Sequence, residues 1–353
     1  MANPYATIDA YWDTPMAVCP DDEPRQLREL VRFATLAPNA HNTQSWRFVA
    51  QPGAVRLIPD FTRSLPAGDP GDRELWLSLG CALENLLLAA RHVGYAPTVT
   101  SFPDGETCID ITFERTDPVT EEAPTDDALF AAIPRRHSNR SAYDGRPIPA
   151  ADLDAIRGVI DEPGVSARIL TDAADIAGVI EVVEAGFAWQ RTNTEFKREL
   201  HSWIRFSKAS ILAHRDGLTS RATGRPQIPD AVGRQLVRFL SVTGLEKREI
   251  VNKIRSSSAV LVLLTDDNDR ATWVRAGRSL ARVKLQATAR GIVCAHLNNN
   301  WQWDATRPVA QRALQLGDAH PQVAIRMGYA SPLPHAPRRA VEDVLTTATP
   351  AGQ

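Results

Sequence analysis

Trp76-Leu77-Ser78-Leu79-Gly80-Cys81-Ala82-Leu83 and Trp273-Val274-Arg275-Ala276-Gly277-Arg278-Ser279-Leu280 share one spacing of residues. The first continues to Leu88, Ala90 and Gly94, the second to Leu285, Ala287 and Gly291. Both read W-x3-G-x2-L-x4-L-x-A-x3-G, and the offset between them is constant (291 − 94 = 273 − 76). Apolar residues at steps of three and four predict a helix in each, and a glycine closes each as a C-cap would. Glycine inside a helix costs about 1 kcal/mol relative to alanine. Close approach of one helix to another gives Gly80 and Gly277 a reason to be there. The two helices are therefore expected to pack together at the centre of a duplicated fold.

The flanks support duplication. A β-rich segment precedes each helix, at 46–59 and 258–265, and another follows it, at 108–114 and 322–329. Residues 115–127 are rich in acid, Thr and Pro with no apolar period, as a linker would be. The expected organisation is a first half at 1–114, a linker at 115–127 and a second half at 128–353. The fold class is α+β, with two antiparallel sheets around the central helices. Residues 23–36 form a predicted helix, with Asp22 as N-cap and Pro38 as its stop. Further helices are expected over 151–160 and most of 173–213, and a loop over 216–230. A helical insertion at 181–249 has no counterpart in the first half. It is either a lid over a site or a packing appendage.

Composition excludes several classes. The 353 residues carry 40 Lys and Arg against 42 Asp and Glu, a balance with no electrostatic footprint for nucleic acid. The four cysteines are far apart and form no CxxC or zinc spacing. Residues 1–12 lack the basic and apolar regions of a signal peptide, and the best apolar run, 259–264, is too short to span a bilayer. The expectation is a cytoplasmic protein with no membrane partner. GxGxxG after a strand, GxSxG, HExxH and the P-loop pattern are all absent.

Three motifs carry candidate chemistry. Ala37-Pro38-Asn39-Ala40-His41-Asn42-Thr43-Gln44-Ser45-Trp46 joins a helix end to a strand start. Its amides offer donors and acceptors together, as the edge of a heteroaromatic ring requires; equally, Asn residues supply caps and turns. In Arg136-His137-Ser138-Asn139-Arg140, an extended backbone would put Arg136, Ser138 and Arg140 on one face. Two guanidinium groups and a hydroxyl suit a phosphate or an anionic ring; a solvated basic run is the other reading. Pro337-Arg338-Arg339 is either a phosphate grip or an exposed tail.

Together these elements resemble the nitroreductase-like superfamily. Residues 38–48 resemble its A-P-S-x-x-N-x-Q-P-W-x-F element, and Arg136-His137-Ser138-Asn139-Arg140 its R-x-S-x-R/K element. Gly328-Tyr329-Ala330 followed by Pro337-Arg338-Arg339 resembles its final strand and basic pair. Asp69-Pro70-Gly71-Asp72-Arg73-Glu74-Leu75 is similar to the Acg-type branch. Asn39 and Ser45 replace the usual Ser and Pro. The resemblance implies FMN as cofactor and NAD(P)H as transient electron donor. It also implies a small electron-poor acceptor reached by a ping-pong flavin cycle. A flavin-sequestering protein with a lidded site and little turnover is the alternative.

In the family each flavin site is built across a dimer interface. Here the amide loop lies in the first half and the R-x-S-x-R element in the second, which implies one complete site and one degenerate one. The chain would thus be a pseudo-dimer, monomeric or weakly homodimeric, that binds one FMN. By resemblance, Arg136, Ser138, Arg338 and Arg339 lie near the phosphate and ribityl chain, and Arg140 by the pyrimidine edge. Asn39 and Asn42, in the loop with Gln44, line the flavin from the other half. His296 and Leu297 fall where the family brings backbone N–H groups to the ring. His296 is also a candidate proton donor, and Trp301 and Trp303 are candidate pocket walls or core.

Overall fold

The computed structural model describes residues 3–116, 124–240, 244–297 and 306–348. The first half contains α1 (Ala6–Asp13), α2 (Glu23–Thr35), β1 (Trp46–Gln51), β2 (Ala54–Pro59), α3 (Arg73–His92), β3 (Tyr95–Ser101) and β4 (Ile109–Arg115). Next come α4 (Pro124–Ala132), α5 (Ala150–Arg157) and β5 (Val165–Leu170). The segment before the next long strand holds α6 (Ala173–Thr192), α7 (Thr194–Ser202), β6 (Ile204–Arg205), α8 (Lys208–His214), β7 (Leu218–Thr219), α9 (Ser220–Thr223), α10 (Asp230–Leu240) and α11 (Gly244–Arg255). The chain closes with β8 (Ala259–Thr265), α12 (Arg270–Ala289), β9 (Val293–His296), α13 (Arg307–Ala313), β10 (His320–Gly328) and β11 (Leu345–Thr347).

The duplication is visible in the topology. One sheet has the order β11-β1-β2-β4-β3, the other β5-β8-β10-β9. With β11 set aside, each half runs strand, strand, long helix, strand, strand, and each sheet stacks these in the order first, second, fourth, third. All pairings within the two sets of four are antiparallel. The halves differ between their first two strands. Pro52 and Gly53 close β1 onto β2 in a hairpin, with Gly53 in the left-handed region at φ 67°. In the second half α6 to α11 fill the same connection. The insertion expected at 181–249 starts inside α6, whose Val179, Val182, Val183 and Phe187 pack in one core with Val260, Val262 and Leu264 of β8. On the opposite face Ala259, Leu261 and Leu263 join the central core. Burial on both faces explains why β8 reads as an unbroken apolar run.

The helices α3 and α12 cross at their glycines. A Cβ added to Gly80 would overlap the Val274 carbonyl oxygen and stand 2.9 Å from the Gly277 Cα. One added to Gly277 would overlap the Leu77 carbonyl oxygen and stand 2.9 Å from the Gly80 Cα. Leu77 and Val274 are matched positions of the repeat, so the contact is isologous, as in a twofold dimer. Gly94 and Gly291 follow the two helix ends in the left-handed conformation, at φ 80° and 72°.

Two connections tie the halves together. Residues 117–123 of the expected linker lie outside the described residues, and α4 begins at Pro124, within that stretch. After β10 the chain returns to the first sheet, where β11 pairs parallel to β1, Phe48 opposite Leu345. The four cysteines are buried and free. Among the described residues no helix is long and apolar enough to cross a membrane.

Candidate functional site

The end of α2 begins the site. A helix C-terminus leaves carbonyl groups without intrahelical partners, and the dipole makes that end negative. Arg338 covers it: Nε donates to the Thr35 carbonyl at 2.6 Å, and Nη2 to those of Leu36 and Ala37 at 3.2 and 3.1 Å. Nη1 of the same residue donates to Asn42 Oδ1 at 2.9 Å and to the Pro337 carbonyl at 3.1 Å. Arg136 Nη2 adds a bond to the Leu36 carbonyl at 3.0 Å.

The loop that follows is strained and held by its own amides. His41, Asn42 and Gln44 have φ of 45°, 56° and 54°, a region non-glycine residues seldom adopt. Asn39 Oδ1 accepts from the Gln44 backbone N–H at 2.9 Å. Asn42 Nδ2 donates to the carbonyls of Gly217 and Pro337, at 3.3 and 3.1 Å. Gln44 Nε2 donates to the Arg215 carbonyl at 2.9 Å, and its Oε1 accepts from the Arg339 backbone N–H at 2.8 Å. The loop thus welds the first half to the insertion and to the C-terminal segment.

Opposite this loop, residues 136–140 lie beside β9. Ser138 bridges to Cys294, and the Asn139 N–H donates to the Cys294 carbonyl at 2.9 Å. Arg136, His137, Ser138 and Arg140 all line one cleft, which Asn39, Asn42 and Arg338 also line, so the alternation expected of an extended backbone does not separate His137 from the others. Gly217, Leu218 and Thr219 of the insertion close another side, and Trp12 and His335 a further one. The space between atoms in the cleft is about 520 Å³ with open solvent included, of which about 50 Å³ admits the centre of a water-sized sphere.

Its electrostatics are one-sided. Among the described lining residues none is a carboxylate. Burial lowers the Arg136 guanidinium to about 10; burial and then Arg136 lower Arg338 to about 9. Arg140 is pushed down by burial and by Arg326. Burial and Arg136 hold His335 at about 3, so its imidazole is neutral at physiological pH. The arginines differ in what they have left to give. All five Arg338 donors are engaged by backbone or Asn42. The Arg136 Nε is buried with no hydrogen-bond partner among the described residues. Arg140 has no hydrogen bond or ion pair to any described residue.

The structure therefore brings Asn39, Asn42, Arg136, Ser138, Arg140 and Arg338 to one cleft and leaves four expected residues off its lining. Gln44 is fully buried as a clamp. Arg339 donates to the carbonyls of Gln44 and Asp343, at 3.4 and 2.7 Å. The Leu297 N–H donates to the Ala324 carbonyl at 2.9 Å, and its side chain lies in the core beneath α6. His296 Nε2 is 2.8 Å from Lys284 Nζ. Trp301 and Trp303 lie outside the described residues. Sequence reading missed Lys284, which is fully buried, and the walls made by Trp12, His335 and 217–219. The repeat held a signal for the lysine, because Lys284 matches Leu87 of the first helix.

The pseudo-equivalent place is closed. The loop after α5 corresponds to the loop after α2. There Glu162 pairs with Arg278 at 2.6 Å, and the Val159 carbonyl accepts from Arg282 at 3.2 Å. Both arginines also pair with Glu84, at 2.9 and 2.8 Å, and Arg282 with Asp126 at 3.0 Å. Each cation there has carboxylate partners, and Leu87 stands in place of the lysine.

No family model matches the chain. It is 29% identical over 331 residues to a Mycobacterium tuberculosis protein named "Putative NAD(P)H nitroreductase", covering 92% of both. It is 28% identical over 329 residues to that organism's "Putative NAD(P)H nitroreductase acg", covering 90% of this chain and 94% of the relative. Among solved structures, the FMN-dependent nitroreductase NfnB from Mycobacterium smegmatis in complex with NADPH matches at TM-score 0.42 and 16% identity, over 63% of this chain and 99% of that one. A nitroreductase with bound FMN from Bacteroides fragilis matches at TM-score 0.36 and 16% identity, over 57% and 88%.

Proposed function

We propose, from the premise that this chain belongs to the nitroreductase-like superfamily in its Acg-type branch, that it is an FMN-dependent oxidoreductase. It would pass electrons from NAD(P)H to a small electron-poor acceptor. The names of the full-length relatives support the reaction class. One observation carries the cofactor: two guanidinium groups with unused donors, Arg136 and Arg140, flank the Ser138 hydroxyl in a cleft without a carboxylate among its described lining. A buried cation without a counter-ion is costly, and an anionic ligand relieves that cost. FMN suits the site because it brings a phosphate and a ring whose edge alternates donors and acceptors.

FMN, when bound, supplies the hydride and electron chemistry. The chain's residues bind and orient it. Arg136 and Ser138 would hold the phosphate and ribityl side, and Arg140 would meet the pyrimidine edge, where a cation favours the reduced state. Asn39 keeps one amide hydrogen beyond its bond to the Ala37 carbonyl, available to the ring edge. Arg338 acts from behind, fixing the loop that carries Asn39 and Asn42. Residues 217–219 exclude water from one side.

The sequestering alternative has an observation in its favour. The insertion is anchored over the cleft by Asp216, which pairs with Arg63 and, at 2.8 Å, with Arg205, besides the Asn42 and Gln44 clamps. One experiment separates the readings. Anaerobic NADPH added to the yellow, FMN-loaded protein should bleach the flavin absorbance, and an added nitroaromatic should restore it. Colour that survives excess NADPH and NADH would assign the protein to flavin storage instead.

A further inference from the structure

Lys284 is the one charged residue of α12 whose side chain is wholly buried, and nothing above assigns it a task. Its Nζ lies 3.2 Å from Ser138 Oγ and 2.8 Å from His296 Nε2. Around it stand Arg136, His137 and Arg140 from the 136–140 segment, Cys294 and His296 from β9, and Cys81 from α3. No carboxylate among the described residues bonds or pairs with it. Structural lysines are rarely buried unless paired. This one abuts a residue that lines the cleft.

We infer that Lys284 is a positioning residue that turns the Ser138 hydroxyl into a hydrogen-bond donor toward the ligand, and that it takes up a proton when an anion enters the cleft. The inference rests on the anion-binding reading of the cleft. The chemistry follows from what each form of the amine can do. A neutral amine has a lone pair and accepts from Ser138 O–H or from His296 Nε2–H. An ammonium group only donates. It then occupies Ser138 Oγ as an acceptor and leaves the serine's hydrogen free to point into the cleft. It likewise requires His296 to carry its proton on Nδ1.

Burial, and then Arg136, bring the Lys284 amine down to about 7, so without an anion beside Arg136 the amine is partly neutral at working pH. A dianionic phosphate held by Arg136 and Ser138 offsets the repulsion from Arg136 and favours the ammonium form. The proton comes from bulk water, so binding and pH are linked. Binding should therefore weaken as pH rises above about 7, before Arg136 or Arg140 loses its charge.

Calorimetric titration of the apoprotein with FMN at pH 8, in buffers of different ionisation enthalpy, reads the proton directly. At that pH the FMN phosphate, whose second pKa is about 6, is already dianionic. The wild type should take up roughly 0.5–1 proton per FMN bound. Lys284→Met should take up none and bind about tenfold more weakly or worse. Lys284→Arg, charged throughout, should bind FMN without uptake. Tight FMN binding by the wild type with no proton uptake would overturn the inference while leaving the cofactor reading intact. Uptake that persists in Lys284→Met would overturn it too, by moving the proton to a histidine. If the wild type binds no FMN, both fall.

Discussion

Gly80→Ala should destabilise the protein by about 2–4 kcal/mol and lower its melting temperature by roughly 3–5 °C. Alanine is ordinarily the better helix former by about 1 kcal/mol, so intrinsic propensity predicts the opposite sign. The crossing decides it. The new methyl group would overlap a backbone oxygen of α12, which cannot rotate away as a side-chain end would. The helices must move apart, and the central core around Trp76, Leu83 and Leu280 loosens with them. Gly277→Ala should cost about as much by the same reciprocal contact. Once one methyl has separated the helices the second has room, so the double variant should cost clearly less than the sum. Thermal denaturation of the three variants measures this. Independent, mild effects would mean the helices do not touch there.

Arg140→Met and Arg136→Met should each weaken FMN binding by roughly 10–100-fold, the worth of a charge-assisted hydrogen bond of about 1.5–3 kcal/mol. Neither should lower the stability of the apoprotein much, because each removes a buried cation that lacks a counter-ion among the described residues. Arg338→Met should behave differently. Its donors serve the carbonyls of Thr35, Leu36 and Ala37 and the side chain of Asn42. Removing them orphans the end of α2, so stability should fall by about 3 kcal/mol or more. Paired melting and FMN-titration curves distinguish a ligand-facing arginine from a loop-bracing one. A stable Arg338 variant with lost FMN affinity would reverse the assignment.

That contrast marks where the sequence was legible. The duplication could be read because one steric requirement, two helices touching at glycine, imprints a fixed spacing twice. The strand order repeated in both sheets was not readable, because pairing is decided by contacts remote in sequence. β5, β9 and β11 are short or half-buried and show no clean alternation. The clustering of Arg136, Ser138 and Arg140 was legible because they are close in sequence, although His137 lines the cleft with them. What each arginine does was not local. Arg338 and Arg140 look alike in sequence, and only the carbonyls packed around Arg338 give them different tasks. Lys284 was hidden in an amphipathic helix, where a lysine ordinarily reads as a solvent-facing residue. Residues 217–219 reach the cleft through bonds such as Asn42 to Gly217, across a sequence gap that no motif spans.

The central proposal is that the amide loop after α2 and the arginine segment beside β9 form one flavin site, while ion pairs close its symmetry mate. Titration of the apoprotein with FMN, followed by flavin fluorescence quenching, tests it most directly. Saturation at one FMN per chain, abolished in the Arg136→Met/Arg140→Met double variant, is the predicted result. Saturation at two per chain, or binding untouched in that double variant, would contradict it.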